Sequence, residues 1–240
     1  MSCDPKIFDK YMKIRTEPMS AVTPLSQPAI VRALPGLNQP APAFDALTTH
    51  GRKTLADYKG KWLVLFSHPA DFTPVCTTEF IAFARKHEQF KALNCDLLGL
   101  SIDSNYAHIA WVLNIEEKFG VKVEFPIIED LSMKVAGDYG MIQPGASDTS
   151  AVRATFIIDP TGILRAMVYY PMTNGRSIDE FLRLVAALQT SDLNKVATPE
   201  GWKPGDPVIV PPPKSVEEAK IRKDQGFDTT DWYFSTRSLG

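Results

Sequence analysis

At 240 residues, 44% of them hydrophobic and 22% charged, the chain has the size and composition of a folded domain with one sizeable core and room for a smaller appendage. A net charge of -2 gives no electrostatic reason to expect nucleic acid or an anionic membrane as partner, and no apolar run approaches the ~20 residues that span a bilayer. The opening residues lack the apolar centre of a secretion signal, and Asp4, Asp9 and Glu17 argue against a transit peptide, so a cytoplasmic setting is expected. Cys3, Cys76 and Cys95 are too few and too scattered for a disulfide framework, and they form no Cys-x-x-Cys pair. His50, His68, His87 and His108 show no metal-binding spacing. Neither a metal nor another cofactor is expected.

In chain order, residues 1–43 read as an N-terminal arm. Pro5, Pro18, Pro24, Pro28, Pro35, Pro40 and Pro42 prevent a long regular element there, although Ile7 to Arg15 has the pattern of a short helix. The rest of the arm is expected to drape over the surface or fray. Ala56 to Gly60 is a turn into a strand at Trp62–Phe66. Ser67, His68, Pro69 and Asp71 break that strand, and Phe80, Phe83, Ala84, His87 and Phe90 then recur at helical spacing. Thr73 suits the N-cap and Pro74 the first helical position, so Cys76 is the third helical residue. The first turn of a helix has unpartnered N–H groups and the positive end of the macrodipole, and both favour an anion such as a thiolate. Thr73, three residues earlier, is placed to turn its hydroxyl toward the sulfur. The alternative for Cys76 is a small buried hydrophobe.

Asp96 to Ile102 reads as a buried strand with Cys95 packed at its edge. Asn105 to Phe119 is an amphipathic helix with His108, Trp111, Val112, Ile115 and Phe119 on one face, which makes His108 a core-edge histidine. Phe125 to Ile128 is a short strand and Leu131 to Tyr139 a short helix. Ala151 to Ile158 and Ile163 to Tyr170 are strands joined by the turn Asp159-Pro160-Thr161-Gly162. Ser177 and Glu180 form a capping box for a helix carrying Phe181, Leu184, Val185 and Leu188. This order predicts a three-layer α/β domain with a mixed sheet. Beyond Thr190 the prolines leave room for one helix, Ser215 to Lys223, capped by Ser215 and Glu218. The apolar residues Trp202, Val208, Ile209, Val210, Trp232, Tyr233 and Phe234 need another surface, for which a second subunit is a candidate.

The string HPADFTPVCTTE, with Pro69, Thr73 and Cys76 in the pattern P-x-x-x-T-x-x-C, closely resembles the peroxidatic motif of the peroxiredoxins. FPIIED at Phe125, VRATFIIDP at Val152, YPMTNGRSIDEFLR at Tyr170 and KVATPEGWKPGD at Lys195 are similar to the 1-Cys subfamily, whose members add a C-terminal domain. The resemblance spans roughly Pro42 to Gly226. It implies a thioredoxin-like peroxidase domain over residues 44–190 and a C-terminal peroxiredoxin domain or dimerisation arm over 191–240, in a homodimer or higher homo-oligomer. It also implies that Cys76 attacks a hydroperoxide and becomes a sulfenic acid. Thr73 would bond the sulfur and the peroxide, Pro69 would shield the sulfur from water, and Arg153 would stabilise the charge moving onto the peroxide oxygens. His68, Glu79 and Arg176 match positions that support the pocket, His68 as an orienting hydrogen-bonder.

Arg153 lies in an apolar strand, where a cation asks for a partner. Glu79 lies one turn beyond Cys76 on the same face, so its carboxylate opposes a thiolate unless Arg153 or Arg176 neutralises it. No cysteine follows Cys95, which excludes a C-terminal resolving partner and points to an external thiol, from glutathione or a thioredoxin-like protein. Cys3 is either a mobile thiol or a partner for Cys76. Lys61 stands where some relatives carry a phospholipase serine, so that activity is not expected. The runner-up functions are a protein-disulfide oxidoreductase, disfavoured by the missing second cysteine, and an oligomeric holdase or peroxide-sensing binding protein.

Overall fold

The computed structural model describes residues 34–143, 145–146 and 149–239. Cys3 and the expected helix from Ile7 to Arg15 lie outside the described residues. Among the described residues, seven strands form a central mixed sheet in the order β2-β1-β5-β4-β3-β6-β7: β1 (Asp45–Thr48), β2 (Gly51–Thr54), β3 (Trp62–Ser67), β4 (Cys95–Ser101), β5 (Ile127–Glu129), β6 (Arg153–Ile158) and β7 (Leu164–Tyr170). The helices of this region are α1 (Pro74–Ala92), α2 (Asn105–Phe119), α3 (Lys134–Asp138) and α4 (Ile178–Asn194).

β3 occupies the interior of the sheet, parallel to β4 and antiparallel to β6. All six of its residues are buried, as an apolar run with partners on both edges requires. Side-chain alternation divides the core in two. Leu63 and Leu65 join Ala154, Phe156 and Ile158 on the face covered by Val135, Ala136 and Tyr139. Val64 and Phe66 join Ile157 on the other face, beneath Phe80, Phe83 and Phe90 of α1, Trp111 and Ile115 of α2, and Phe181 and Val185 of α4. Phe66 is the centre of this second cluster, stacked on Phe83 at 4.0 Å and edge-on to Phe80 and Phe125. The same parity turns Arg153 and Thr155 toward α1. This is the three-layer α/β arrangement expected of a thioredoxin-like fold.

Several expectations need correction. The segment read as part of the N-terminal arm does not fray over Asn38 to Ala41: Asn38 N–H donates to the Leu164 carbonyl, Ala41 N–H to that of Gly162, and Ala41 is buried. The β1–β2 hairpin has no counterpart in the pattern reading, because two four-residue strands with only two apolar residues between them leave almost no periodic signal. Ser177 does begin α4, but the capping box is absent: its side chain makes no cap bond, and Arg183 takes the Glu180 carboxylate at 2.6 and 2.7 Å. Phe119, placed on the buried face of α2, is 53% exposed.

Past α4 the chain forms β8 (Val208–Ile209), α5 (Val216–Ile221), β9 (Asp228–Asp231) and β10 (Phe234–Arg237), with a three-stranded sheet in the order β8-β10-β9. Ser215 caps α5 by accepting from the Glu218 N–H, while the Glu218 carboxylate reaches the N–H of Lys214 instead of closing the box on Ser215. Trp202 and Val208 need no second subunit, because they pack on Ala186 and Ala187 of α4 within the chain. Trp232, Tyr233 and Phe234 stay substantially exposed. Truncating Trp202 to Ala removes the largest side chain of this cluster and is expected to cost about 3–5 kcal/mol. Denaturant unfolding with hydrogen exchange checks this; unchanged protection of residues 196–210 would show that the packing does not hold the segment.

Candidate active site

The site is built where β3 ends. Ser67 is tied to β6 by donating to the Val152 carbonyl at 2.6 Å and accepting from the Ala154 N–H at 3.2 Å. The chain then leaves the sheet through His68 and Pro69, both buried, and enters α1 at Pro74. Thr73 is the N-cap residue with extended backbone, Pro74 stands in the first turn, and Cys76 is the third helical residue. The thiol lies at the positive end of a helix of 19 residues, with no solvent exposure.

The Thr73 hydroxyl is not a side-chain cap and does not point its hydrogen at sulfur. It donates to the Ala70 carbonyl at 2.8 Å, which closes the loop on itself and leaves the oxygen's lone pairs as acceptors. The bond to sulfur comes from Arg153, whose Nη1 lies 3.4 Å from Cys76 Sγ. That guanidinium is 2% exposed and is oriented at two further points: Nη1 donates to Glu79 Oε2 at 2.8 Å and Nε to the Met172 carbonyl at 2.9 Å.

Glu79 is neutralised by both expected arginines. Arg176 donates to its two oxygens through Nε at 2.9 Å and Nη2 at 2.8 Å, and its backbone N–H adds a third bond at 2.7 Å. The remaining Arg176 donors reach the Ala154 carbonyl and Thr155 Oγ1, and its guanidinium lies over the Phe66 ring at 5.6 Å. Burial alone pushes the Glu79 carboxyl up, but the bonds and charge of Arg176, with the charge of Arg153, hold it below the ordinary carboxylate value. Glu79 is therefore an anion shared by two cations, and one positive charge remains beside the sulfur.

His68 Nε2 bonds Asp71 Oδ1 at 2.8 Å and its ring packs edge-on to Phe80. Burial lowers the pKa of His68 by more than Asp71 raises it, which suits an orienting residue in its neutral form. Asp71 is a site residue the pattern reading passed over. It stood inside the quoted motif, and the only available signal was an acid three residues from a histidine. His68, Asp71 and His108 bring three potential metal ligands together, but bonds of 2.7 and 2.8 Å between rings and carboxylate are hydrogen-bond lengths, shorter than the ~3.3 Å between neighbouring ligands of a tetrahedral ion. A second group, His87, Glu88 and Glu124, has its carboxylates paired with Lys91 and Lys122. Cys95 is buried in β4 opposite Trp62, and burial pushes its thiol pKa up; it is packing, as its sequence position implied.

Fold and site together describe a thioredoxin-like domain with one buried thiol at a helix start, paired to an arginine from a neighbouring strand. Residues 37–167 match the AhpC/TSA family and residues 187–226 the C-terminal domain of 1-Cys peroxiredoxin. A peroxiredoxin of Aquifex aeolicus is 56% identical over 220 residues, covering 87% of this chain and 99% of the relative. A "Peroxiredoxin 2" of Caldanaerobacter subterraneus is 55% identical over 208 residues, covering 86% and 94%. Among solved structures, a yeast mitochondrial 1-Cys peroxiredoxin matches with TM-score 0.77 at 40% identity, covering 86% of this chain and all of that one. A mutant of the peroxiredoxin 6 of Arenicola marina matches with TM-score 0.76 at 34% identity, covering 86% and 99%. The chain belongs to the peroxiredoxin family and is a thiol-dependent peroxidase.

Replacing Glu79 by Gln leaves two guanidiniums in a buried site with no anion and is expected to cost about 3–5 kcal/mol at neutral pH. The folded pKa of Glu79 is depressed, so its contribution is complete above the unfolded value of about 4.3 and is lost as pH falls through the folded one. Unfolding free energies of the two proteins measured from pH 7 to 3 should therefore converge; a gap that stays constant or widens on acidification would contradict the assignment.

Proposed function

We propose that the chain reduces hydrogen peroxide and alkyl hydroperoxides at Cys76 and is returned to its thiol form by an external thiol. The observation that carries this reading is the 3.4 Å bond from Arg153 Nη1 to Cys76 Sγ, made by a guanidinium whose orientation is fixed by Glu79 and Met172. In the oxidative step sulfur attacks the terminal peroxide oxygen, an S–O bond forms and the O–O bond breaks. The thiol proton ends on the leaving oxygen, which departs as water or an alcohol, and sulfur is oxidised to sulfenic acid. Negative charge moves across the oxygens during that exchange, and a guanidinium already aimed at the sulfur stabilises it without reorganising. Thr73 Oγ1, with its hydrogen committed to Ala70, serves as acceptor for the peroxide O–H, and buried Pro69 keeps water from the thiol.

The reductive step consumes two thiols. The first forms a mixed disulfide with Cys76 and releases water; the second displaces Cys76 and leaves as a disulfide. Cys95 is a poor internal partner, being buried in β4 with its thiol pKa pushed up. The yeast mitochondrial relative is described as resolved through glutathione/thioredoxin systems, and we carry an external reductant of that kind to this chain. Because Cys76 has no exposure, the first turn of α1 must open to admit such a thiol, whereas a small peroxide needs far less room.

Cys76→Ser is expected to abolish peroxide consumption, while Cys95→Ser retains most of it. Mass spectrometry after stoichiometric peroxide should place one added oxygen on Cys76. Undiminished turnover in the Cys76 variant would remove the proposal.

A further inference from the structure

One face of α2 holds the chain on both sides of the reactive thiol. His108 Nδ1 bonds Asp71 Oδ2 at 2.7 Å, five residues before Cys76, and Trp111 Nε1 donates to Thr77 Oγ1 at 3.3 Å, one residue after it. The two side chains are three residues apart and therefore share a helix face. Asp71 is held further by His68 through its other oxygen, and its backbone N–H donates at 3.0 Å to Asp103 Oδ2, which accepts from Ser101 Oγ at 2.7 Å. His68 and His108 are fully buried and Asp71 nearly so.

His108 is held at both of its ring nitrogens. His108 Nε2 faces the Ile128 carbonyl at 3.1 Å, and since a carbonyl only accepts, that nitrogen carries a hydrogen. Nδ1 faces Asp71 Oδ2 at 2.7 Å, so the ring is engaged at both nitrogens. In this buried site, the two bonds keep the ring from turning away from Asp71.

The segment it holds is strained. Phe72, between Asp71 and Thr73, has φ of 55°, a left-handed conformation that costs a bulky aromatic about 1–2 kcal/mol. Its ring is 57% exposed, so burial of the side chain does not offset the cost. Such a turn persists only when its neighbours over-determine it. Asp71 does so on one side, and the Thr73-to-Ala70 bond does so on the other.

We propose that His108 is a positioning residue for the peroxide reaction: through Asp71 it fixes the turn at Phe72 and so sets where Pro69 and Thr73 stand around Cys76 Sγ. It touches no reacting atom. The inference rests on the peroxidase reading and assigns to α2 a part in it beyond packing.

The test separates the two ring nitrogens. In His108→Asn the amide lies where Nδ1 was and keeps a donor for Asp71; in His108→Gln it lies where Nε2 was and keeps only the bond to Ile128. Asp71→Asn, the third arm, removes the shared carboxylate at constant volume and carries the comparison if His108→Gln does not fold. Stopped-flow measurement of Cys76 oxidation should show wild type and His108→Asn within about threefold, and His108→Gln and Asp71→Asn slowed at least tenfold and up to about 10²-fold. Reduction of preformed sulfenic acid by dithiothreitol should be unchanged throughout. Equal loss in the Asn and Gln variants, or loss that follows melting temperature and slows both half-reactions alike, would overturn the proposal by reducing His108 to a structural residue. A wild-type protein that leaves peroxide untouched would instead remove the peroxidase reading itself.

Discussion

The constraint on which the site depends is the pairing of one buried carboxylate with two buried guanidiniums. Glu79 alone, one turn from Cys76 on the same helix, is unfavourable: it places a negative charge beside a sulfur that must bear one, and it desolvates a carboxylate. With Arg176 occupying both of its oxygens and Arg153 one, the sign of the local field reverses. Glu79 then acts as the fixed anchor that aims Arg153 at sulfur. A single arginine would have been cancelled by Glu79, and two arginines without it would repel.

The sheet exists in the form this cluster requires. β3 carries the chain to the thiol loop and β6 lies antiparallel beside it, with Phe66 opposite Thr155, so Arg153 emerges next to the end of β3. Parity along β6 turns Arg153 and Thr155 toward α1 while Ala154 and Phe156 enter the opposite core. Arg176 arrives from the segment just before α4, within reach of Glu79 because α1 and α4 pack side by side over the Phe66 cluster. Three separate stretches of chain thus meet at Cys76, and the apolar packing around Phe66 brings them together. The polar cluster supplies orientation, the aromatic core supplies the position.

Much of this was legible in the residues. The apolar run Trp62 to Phe66, the Thr73-Pro74 start and the bounds of α2 are strong local signals, each legible because one physical rule dominates: burial on both faces, the helix-start geometry, a periodic apolar face. The neutralisation of Glu79 was also foreseeable, since a carboxylate near a thiol and an arginine in an apolar strand each lack a partner until they are considered together. What escaped was non-local or weakly patterned. Asp228 to Asp231 form β9 on the backbone partners that β10 offers, and two threonines between aspartates are too short and too polar a run to announce a strand. Glu180 looked like half of a capping box until Arg183, three residues on, competed for the same carboxylate. Asp71 and His108 are separated by 37 residues, and sequence periodicity assigns His108 to the core without showing what it meets there.

The central claim is that an arginine held by Glu79 turns a buried cysteine into a peroxide-reactive one. Its most direct measurement is the second-order rate constant of Cys76 with hydrogen peroxide in Arg153→Met, followed by stopped-flow fluorescence with circular dichroism as the check on folding. Removing the donor aimed at the reacting centre is expected to slow the reaction by about 10²–10³-fold with the fold retained. A folded variant that reacts within about threefold of the wild type would contradict the claim and leave the helix start as the source of reactivity.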